Sequence, residues 1–279
     1  MTETIPEISV VITTYNNEEY IAKAVKSVLE QSFQNFEAII VDDGSQDKTK
    51  EIVQRLQDPQ VRYIYQEHSG LPACARNRGM EMARGRYIAI LDGDDFWHKD
   101  KLKRCKDALD ACPDAGLVCH NLAMMHGDEI KRVTTYGPYV DDMYKKLLFE
   151  GNCLGPTAVV MRRNIFSENG FRFSEEKNLF AIEDYEYWLQ LSRTYKFCFI
   201  PDILGYHRVT DDGATLSRIE YNTVNMLNLL ESHFSNLGPI SDSLAQRIRR
   251  RKSSVMEGAG RMYLHKNDFK KSRYWYSGR

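Results

Sequence analysis

Tyr87-Ile88-Ala89-Ile90-Leu91-Asp92-Gly93-Asp94-Asp95 is an apolar run that ends in three carboxylates. Its first five residues are continuously apolar rather than alternating, the pattern of a strand buried on both faces. Three acids at the lip of such a strand repel one another unless positive charge sits among them. Ligands of an open α/β sheet bind beyond the carboxyl ends of its strands. A divalent cation carrying a phosphorylated ligand therefore accounts for the run. A solvated turn that caps a helix starting near Lys99 accounts for it too, since Asp and Gly are common turn residues.

The flanking sequence repeats the pattern. Ile8-Ser9-Val10-Val11-Ile12 has the same buried-strand character, and a helix is expected over about 17–31, with Ile21, Val25, Val28 and Leu29 on one face. A second strand, 36–41, stops at Asp42-Asp43-Gly44-Ser45, where Ser45 is the expected N-cap of a helix through about residue 56. A third strand at 61–65 and a helix over about 72–83 lead into the quoted run; another helix and a strand at 116–119 complete the series. Such alternation implies a mostly parallel sheet with right-handed crossovers. It also brings Asp42-Asp43 and Asp92 to Asp95 to one edge of that sheet, which favours the ligand site over the turn.

Beyond about residue 125 the pattern loosens. A helix is expected at 141–149, a strand at 157–161, an amphipathic helix at 183–193 and a strand pair at 197–200 and 203–208. From about 216 onward the chain is expected to be helical. Neither an internal repeat nor a low-complexity linker interrupts it, so we expect one catalytic domain with a helical tail.

Composition sets the broad class. A chain of 279 residues, 42% hydrophobic and 28% charged, is an ordinary globular protein with room for one large core and an appendage. Its net charge of −1 gives no pull toward nucleic acid. No apolar run approaches the roughly 20 residues that span a bilayer, and the polar, acidic start at Met1 to Glu7 does not resemble a secretory signal. A cytoplasmic protein is expected. The six cysteines include no C-x-x-C pair, so reduced core thiols are expected, with Cys105 and Cys112 sharing one buried helix face.

Taken together, several spaced segments resemble the family 2 glycosyltransferases, inverting enzymes of the GT-A fold. They are Ser9-Val-Val-Ile-Thr-Thr-Tyr-Asn16, Ser27-Val-Leu-Glu-Gln-Ser-Phe33, Val41-Asp-Asp-Gly-Ser45, Ala75-Arg-Asn-Arg-Gly79, Gly85-Arg-Tyr-Ile-Ala-Ile-Leu-Asp-Gly-Asp-Asp95 and Glu183-Asp-Tyr-Glu-Tyr-Trp188. Each is weak alone; their order and spacing are specific. The resemblance covers about residues 8–210. It implies a Rossmann-like GT-A domain over 1–215, with sheet and flanking helices, and a helical extension over 216–279.

The resemblance also implies roles. Tyr15 would stack on a nucleotide base, an interaction worth about 1–3 kcal/mol in nucleic-acid systems, while the Thr13 and Thr14 backbone contacts it. The family usually has Pro where Thr13 stands, a departure expected to matter little. Asp43 would accept the imino N–H of uracil and so select a UDP-sugar, with Asp42 holding the turn. Arg76 would lie near the diphosphate or base, and Asn77 would buttress the loop. Asp92 would bind the ribose hydroxyls. Asp94 would bind Mn²⁺ or Mg²⁺, hard cations that prefer oxygen ligands. Gly93 would leave room for sugar or ribose, and Asp95 would cap or assist.

Asp184 would be the general base that deprotonates the acceptor hydroxyl, at a helix start whose dipole favours its ionised form. Tyr185 would flank the acceptor, with Trp188 and Leu189 facing the core. The segment Asn152-Cys-Leu-Gly-Pro156 resembles the family's loop beside the bound sugar. Where the family commonly shows Tyr-Arg-x-His, this chain has Tyr206-His207-Arg208-Val209-Thr210, so His207 is left between a ligand contact and a structural bond.

The implied reaction moves a hexose or N-acetylhexosamine from a UDP-sugar to a hydroxyl of a glycan or lipid-linked acceptor. In the tail, Arg247, Arg249, Arg250, Arg251 and Lys252 cluster, with Tyr263, Phe269, Tyr274, Trp275 and Tyr276 interleaved. Peripheral contact with the cytoplasmic membrane face and simple packing on the catalytic domain are both consistent with that composition. Two other enzyme classes fit less well. A sugar-phosphate nucleotidyltransferase usually opens with a Gly-rich loop, which Thr14-Tyr15-Asn16-Asn17 replaces. An aspartyl-nucleophile phosphatase carries its acids at the first strand. A nucleotide-sugar-binding subunit without turnover is disfavoured by the presence of both Asp94 and Asp184.

Overall fold

The computed structural model describes residues 5–209 and 218–277. In chain order its elements are β1 (Ile8–Thr14), α1 (Ile21–Leu29), β2 (Phe36–Asp42), α2 (Thr49–Arg55), β3 (Val61–Tyr65), α3 (Pro72–Glu81), β4 (Tyr87–Asp92), β5 (Phe96–Trp97), α4 (Lys101–Ala111), β6 (Ala115–His126), β7 (Glu129–Thr134), α5 (Met143–Glu150), β8 (Val159–Arg162), α6 (Asn164–Ser167), α7 (Glu183–Leu191), β9 (Lys196–Arg208), α8 (Ile219–Phe234), α9 (Asp242–His265) and α10 (Phe269–Tyr276). The expected boundary at 215/216, and Thr210 of the His207 segment, lie outside the described residues.

Among the described residues the strands form one nine-stranded sheet in the order β3-β2-β1-β4-β8-β6-β9-β5, with β7 paired to β6. The first four strands are parallel, as the alternation implies. β8 then runs antiparallel to both β4 and β6, which makes the sheet mixed. β1 lies between β2 and β4 with every residue buried, and its alternate side chains serve opposite faces. Val11, Ile39, Val41, Ile88 and Ile90 join the core under α3, α5, α7 and α8. Ile8, Val10, Ile12, Ala38 and Leu91 join the core under α1 and α4.

Four expectations are corrected. First, the strand pair near 197–208 is a single strand, β9, parallel to β6; Pro201-Asp202 is an irregularity between the pairs His120–Ile200 and Asn121–Ile203. The Asn121 amide donates to the Pro201 carbonyl at 2.8 Å, so a dipeptide with turn chemistry is absorbed as a bulge. Second, α1 starts at Ile21, since the preceding N–H groups bond to the β2–α2 loop instead: Asn16 N donates to Ser45 Oγ, Asn17 N to Thr49 Oγ1 and Glu18 N to Asp47 Oδ2.

Third, Ser45 is thereby no N-cap; the Asp47 carboxylate accepts from Thr49 N at 2.9 Å where α2 begins. Fourth, Cys105 is buried but Cys112, one residue past the end of α4, is exposed. All six thiols are free. In the extension, α8 contributes Leu229, Leu230 and Phe234 to the main core, and α9 and α10 close a small cluster of Ile219, Ala259, Tyr263 and Trp275. Among the described residues no helix is long and apolar enough to cross a membrane.

Candidate active site

The sheet register assembles the site. Thr13 sits opposite Asp92 of β4, and Thr14 opposite Asp42 of β2, so both acidic clusters meet at one edge. The two acids of β2 then part. Asp42 is fully buried and accepts from Ser45 N at 2.8 Å and from the Tyr63 hydroxyl at 2.5 Å, which fixes the turn. Asp43 faces the loop before α3. Its carboxylate accepts from Gln66 Nε2 (2.6 Å), Ser69 Oγ (2.8 Å), Ser69 N (3.1 Å) and Gly70 N (3.2 Å). A base N–H arriving at Asp43 has to share or displace these donors.

Tyr15 is 41% exposed, and its ring stacks on His68 with centroids 4.0 Å apart. His68 is itself fixed, its Nδ1 lying 2.8 Å from the Asp43 carbonyl oxygen. The expected stacking platform thus already carries a ring on one face. No spacing signal marks His68 in the sequence, because it lies in a loop. At the end of β1, the Thr13 hydroxyl donates to Asp92 at 3.3 Å, a bond a proline there could not make. The hydroxyl oxygen of Thr14 is buried and unpartnered among the described residues. Gly93 also meets a packing demand. A Cβ on it would come within 2.9 Å of the Thr13 carbonyl oxygen, so the missing side chain makes room for β1.

Arg76 joins the two halves of the site. Pro72 opens α3, where its fixed φ suits the first turn, and the buried Arg76 guanidinium reaches Asp92 at 3.0 Å and Glu183 at 2.6 Å. These carboxylates hold its pKa above the ordinary arginine value despite burial. Glu183 is the partner that the sequence reading missed; it stands beside Asp184 at the start of α7. Asn77, one residue on, grips the strand of chain that leads to α7: its amide donates to Phe173 O and Glu175 Oε1, and its oxygen accepts from Phe173 N.

The remaining acids differ in what holds them. Asp95 is buried and accepts from the Thr157 hydroxyl (2.5 Å) and Arg208 N (2.9 Å), with His207 Nδ1 3.0 Å away. Asp95 is therefore structural, and His207 is its partner, pushed up to about 9 chiefly by that carboxylate acting against burial. Among the described residues no ion pair is seen for Asp94, and His207 lowers its pKa only in part. Burial, followed by Asp95 and Asp92, pushes its carboxyl up to about 7. Such a group is short of positive charge, and a hard divalent ion with ligand oxygens suits it. Among the described residues, no cluster of three or more His, Cys, Asp or Glu side chains forms a complete ion cage, so most of the ligands would have to come from substrate and water.

Asp184 follows Glu183 at the start of α7, within electrostatic reach of Arg76. Burial, then Glu183, pushes its carboxyl up to about 7, while Arg76 and the Asn152 amide, 3.2 Å from Oδ2, pull the other way. Tyr185, expected beside the acceptor, is in the core instead; it is 1% exposed and donates its hydroxyl to Leu147 O at 2.6 Å. Helical geometry turns it about 100° away from Asp184. Trp188 and Leu189 are fully buried, as expected. Among the described residues, buried polar atoms without a partner include Thr14 Oγ1, Arg76 Nε and Glu183 Oε2, and others elsewhere in the fold such as Arg163 Nε and Asn225 Nδ2. At the site such atoms leave bonding capacity for a ligand.

A mixed α/β sheet whose parallel strands end in acids, with a second acidic pair on a helix facing them, defines a glycosyltransferase of the GT-A type. Over 97% of the chain the fold matches S. aureus TarS 1–349 in complex with UDP-GlcNAc, with a TM-score of 0.65, 19% identity and 90% of that chain covered. The family model for glycosyl transferase family 2 matches residues 9–170. This chain belongs to glycosyl transferase family 2.

Among curated relatives, it is 30% identical over 190 residues to the Escherichia coli UDP-Glc:alpha-D-GlcNAc-diphosphoundecaprenol beta-1,3-glucosyltransferase WfgD, covering 66% of this chain and 69% of that one. It is 45% identical over 106 residues to the putative teichuronic acid biosynthesis glycosyltransferase TuaG of Bacillus subtilis, covering 37% of this chain and 42% of that protein. For several curated relatives the match spans about half of their length or less, from 39% to 52%.

Proposed function

We propose that this enzyme transfers a hexose or N-acetylhexosamine from a UDP-sugar to a hydroxyl of a glycan or lipid-linked acceptor, with inversion, in surface polysaccharide or glycoconjugate synthesis. The observation that carries the reading is the Arg76 bridge between Asp92 and Glu183, which ties the acidic strand end to the helix bearing Asp184. Names of relatives support the donor and acceptor classes: WfgD uses UDP-Glc and a lipid diphosphate-linked sugar, and TarS has been captured with UDP-GlcNAc.

In this reading Thr13, Thr14, Tyr15, Asp43, Arg76, Asp92 and Gly93 surround the nucleotide. Asp94 is the residue that would hold Mn²⁺ or Mg²⁺, whose charge offsets that developing on the leaving diphosphate. Asp184 takes the proton of the acceptor hydroxyl as its oxygen bonds to the anomeric carbon. The bond from that carbon to the diphosphate oxygen breaks, its electron pair leaves with UDP, and the configuration inverts. Arg76 pairs with Asp92 and Glu183, and the raised pKa of Asp184 suits it to take up a proton near neutral pH.

We assign residues 1–215 to the nucleotide-sugar-binding and catalytic domain and 216–279 to an extension. Exposed Arg249 and Arg250 with exposed Phe269, Tyr274 and Tyr276 suit peripheral contact with an anionic membrane face on the cytoplasmic side. Release of UDP from UDP-sugars with Mn²⁺ tests the whole reading. Asp184→Asn is expected to abolish transfer and spare UDP binding; transfer that survives the substitution rejects Asp184 as base. Asp94→Ala is expected to remove both metal dependence and most activity.

A further inference from the structure

The C-terminal extension sends one arginine into the catalytic domain. Arg251, in the middle of α9, is 8% exposed although it belongs to the most basic stretch of the chain. Its Nε donates to the Leu148 carbonyl at 3.2 Å, near the C-terminal end of α5, where a cation also complements the helix dipole. Its Nη2 lies 3.5 Å from the Tyr185 hydroxyl, which in turn donates to Leu147 O. The guanidinium also faces Gly151, where a Cβ would stand 3.5 Å from both terminal nitrogens. Gly151 has φ +109° and ψ −176°, a conformation open in practice only to glycine. The next residue, Asn152, donates its amide to Asp184.

Arg251 therefore contacts Tyr185, the residue that follows Asp184 on α7, and fills the space beside the Gly151 turn that precedes Asn152. We infer that Arg251 is a positioning residue for Asp184, through which the C-terminal extension sets the orientation of the base. The inference rests on Asp184 being that base. Without the guanidinium, the turn at Gly151 loses its backing and the Asn152 amide leaves the carboxylate.

Among the described residues, the charged and titratable groups facing Asp184 include Glu183 on its own helix, Arg76 from α3 and Tyr136 from the segment after β7. Among the described residues Arg251 makes no bond to these three, so its loss acts through Asn152. An amide donating to the ionised carboxylate favours that form. Its departure moves the Asp184 titration upward.

Arg251→Met, Arg251→Lys and Asp184→Asn are compared by UDP release from UDP-GlcNAc or UDP-Glc with Mn²⁺, and by ¹³C NMR titration of the Asp184 carboxyl carbon, assigned by its loss in Asp184→Asn. Arg251→Met is expected to lower kcat by about 10- to 100-fold, the scale of a small misplacement of a reacting group. Donor KM stays within about twofold, and the acid limb and the carboxyl midpoint both move to higher pH. Arg251→Lys falls between, since an ammonium reaches Leu148 O without also backing Gly151 and Tyr185.

A folded Arg251→Met with unchanged kcat and carboxyl midpoint overturns the inference. If Arg251→Met does not fold, an Arg251→Lys indistinguishable from wild type in both readouts overturns it equally. Transfer surviving in Asp184→Asn instead rejects the base assignment, whatever the Arg251 variants do.

Discussion

Arg76 is the residue on which the charge balance of the site turns. Removing one member of a buried ion pair leaves the other charged and unpaired, at a cost of about 3–5 kcal/mol. Arg76→Met strands Glu183 in this way, and urea unfolding is expected to show a loss of that size; a loss below about 1 kcal/mol contradicts the bridge. Asp184 supplies a prediction of the opposite sign. Its carboxyl is raised to about 7 from an ordinary 3.8, so the folded protein holds this proton more tightly than the unfolded chain. The stability linked to that proton is complete below about pH 4 and is lost as pH rises through about 7.

Asparagine stays neutral throughout. The thermal midpoint of Asp184→Asn should match wild type near pH 4 and exceed it near pH 8; equal midpoints at both would contradict the raised pKa. The same shift puts the acid limb of transfer near pH 7. Asp94, Asp184 and Arg76 stood out as candidates in the sequence because each sits in a motif of fixed local spacing. The Arg76–Glu183 bridge joins residues 107 apart, and no local pattern announces it.

At the scale of elements, α3 and α7 are held in register by the segment between them. Asn77 uses its amide nitrogen and oxygen for three bonds to Phe173 and Glu175. Asn77→Ala leaves buried backbone groups unpaired and is expected to cost about 1–3 kcal/mol in urea unfolding. A neutral effect would mean that the loop is held elsewhere. The early strands and helices were legible because continuous apolar runs alternate with amphipathic ones over 8–111. Elements that form by pairing rather than by period were not. β5 is two residues long and exists only against Tyr206 and Gly205 of β9. β7 is almost wholly exposed, so it carries no burial pattern to read. Pro201-Asp202 has turn chemistry, yet the long neighbour β6 carries the chain straight through it.

For the molecule as a whole, the extension is bound to the catalytic domain at several points, and this divides its basic cluster. Arg251 is buried against α5 and α7, exposed Arg247 lies over the Phe149 ring at 4.0 Å, and Lys252 pairs with Glu231 of α8 within the extension itself. Arg249 and Arg250 remain exposed on α9, and the aromatics Phe269, Tyr274 and Tyr276 on α10. A membrane contact thus rests on fewer charges than the sequence alone suggested, each worth about 1 kcal/mol near an anionic surface. Sedimentation with phosphatidylglycerol vesicles at low salt is expected to pull down the protein, and Arg249→Glu with Arg250→Glu to release it. Equal soluble fractions for both proteins would remove the membrane from the account.

The central claim is that acids from separate parts of the chain serve one sugar diphosphate. A crystal structure with UDP and Mn²⁺ tests it most directly. The account predicts an anomalous peak ligated by Asp94 and the diphosphate, with the Asp184 carboxylate open to the space where a sugar would extend. A metal bound away from Asp94, or an Asp184 walled off from the diphosphate, would contradict it.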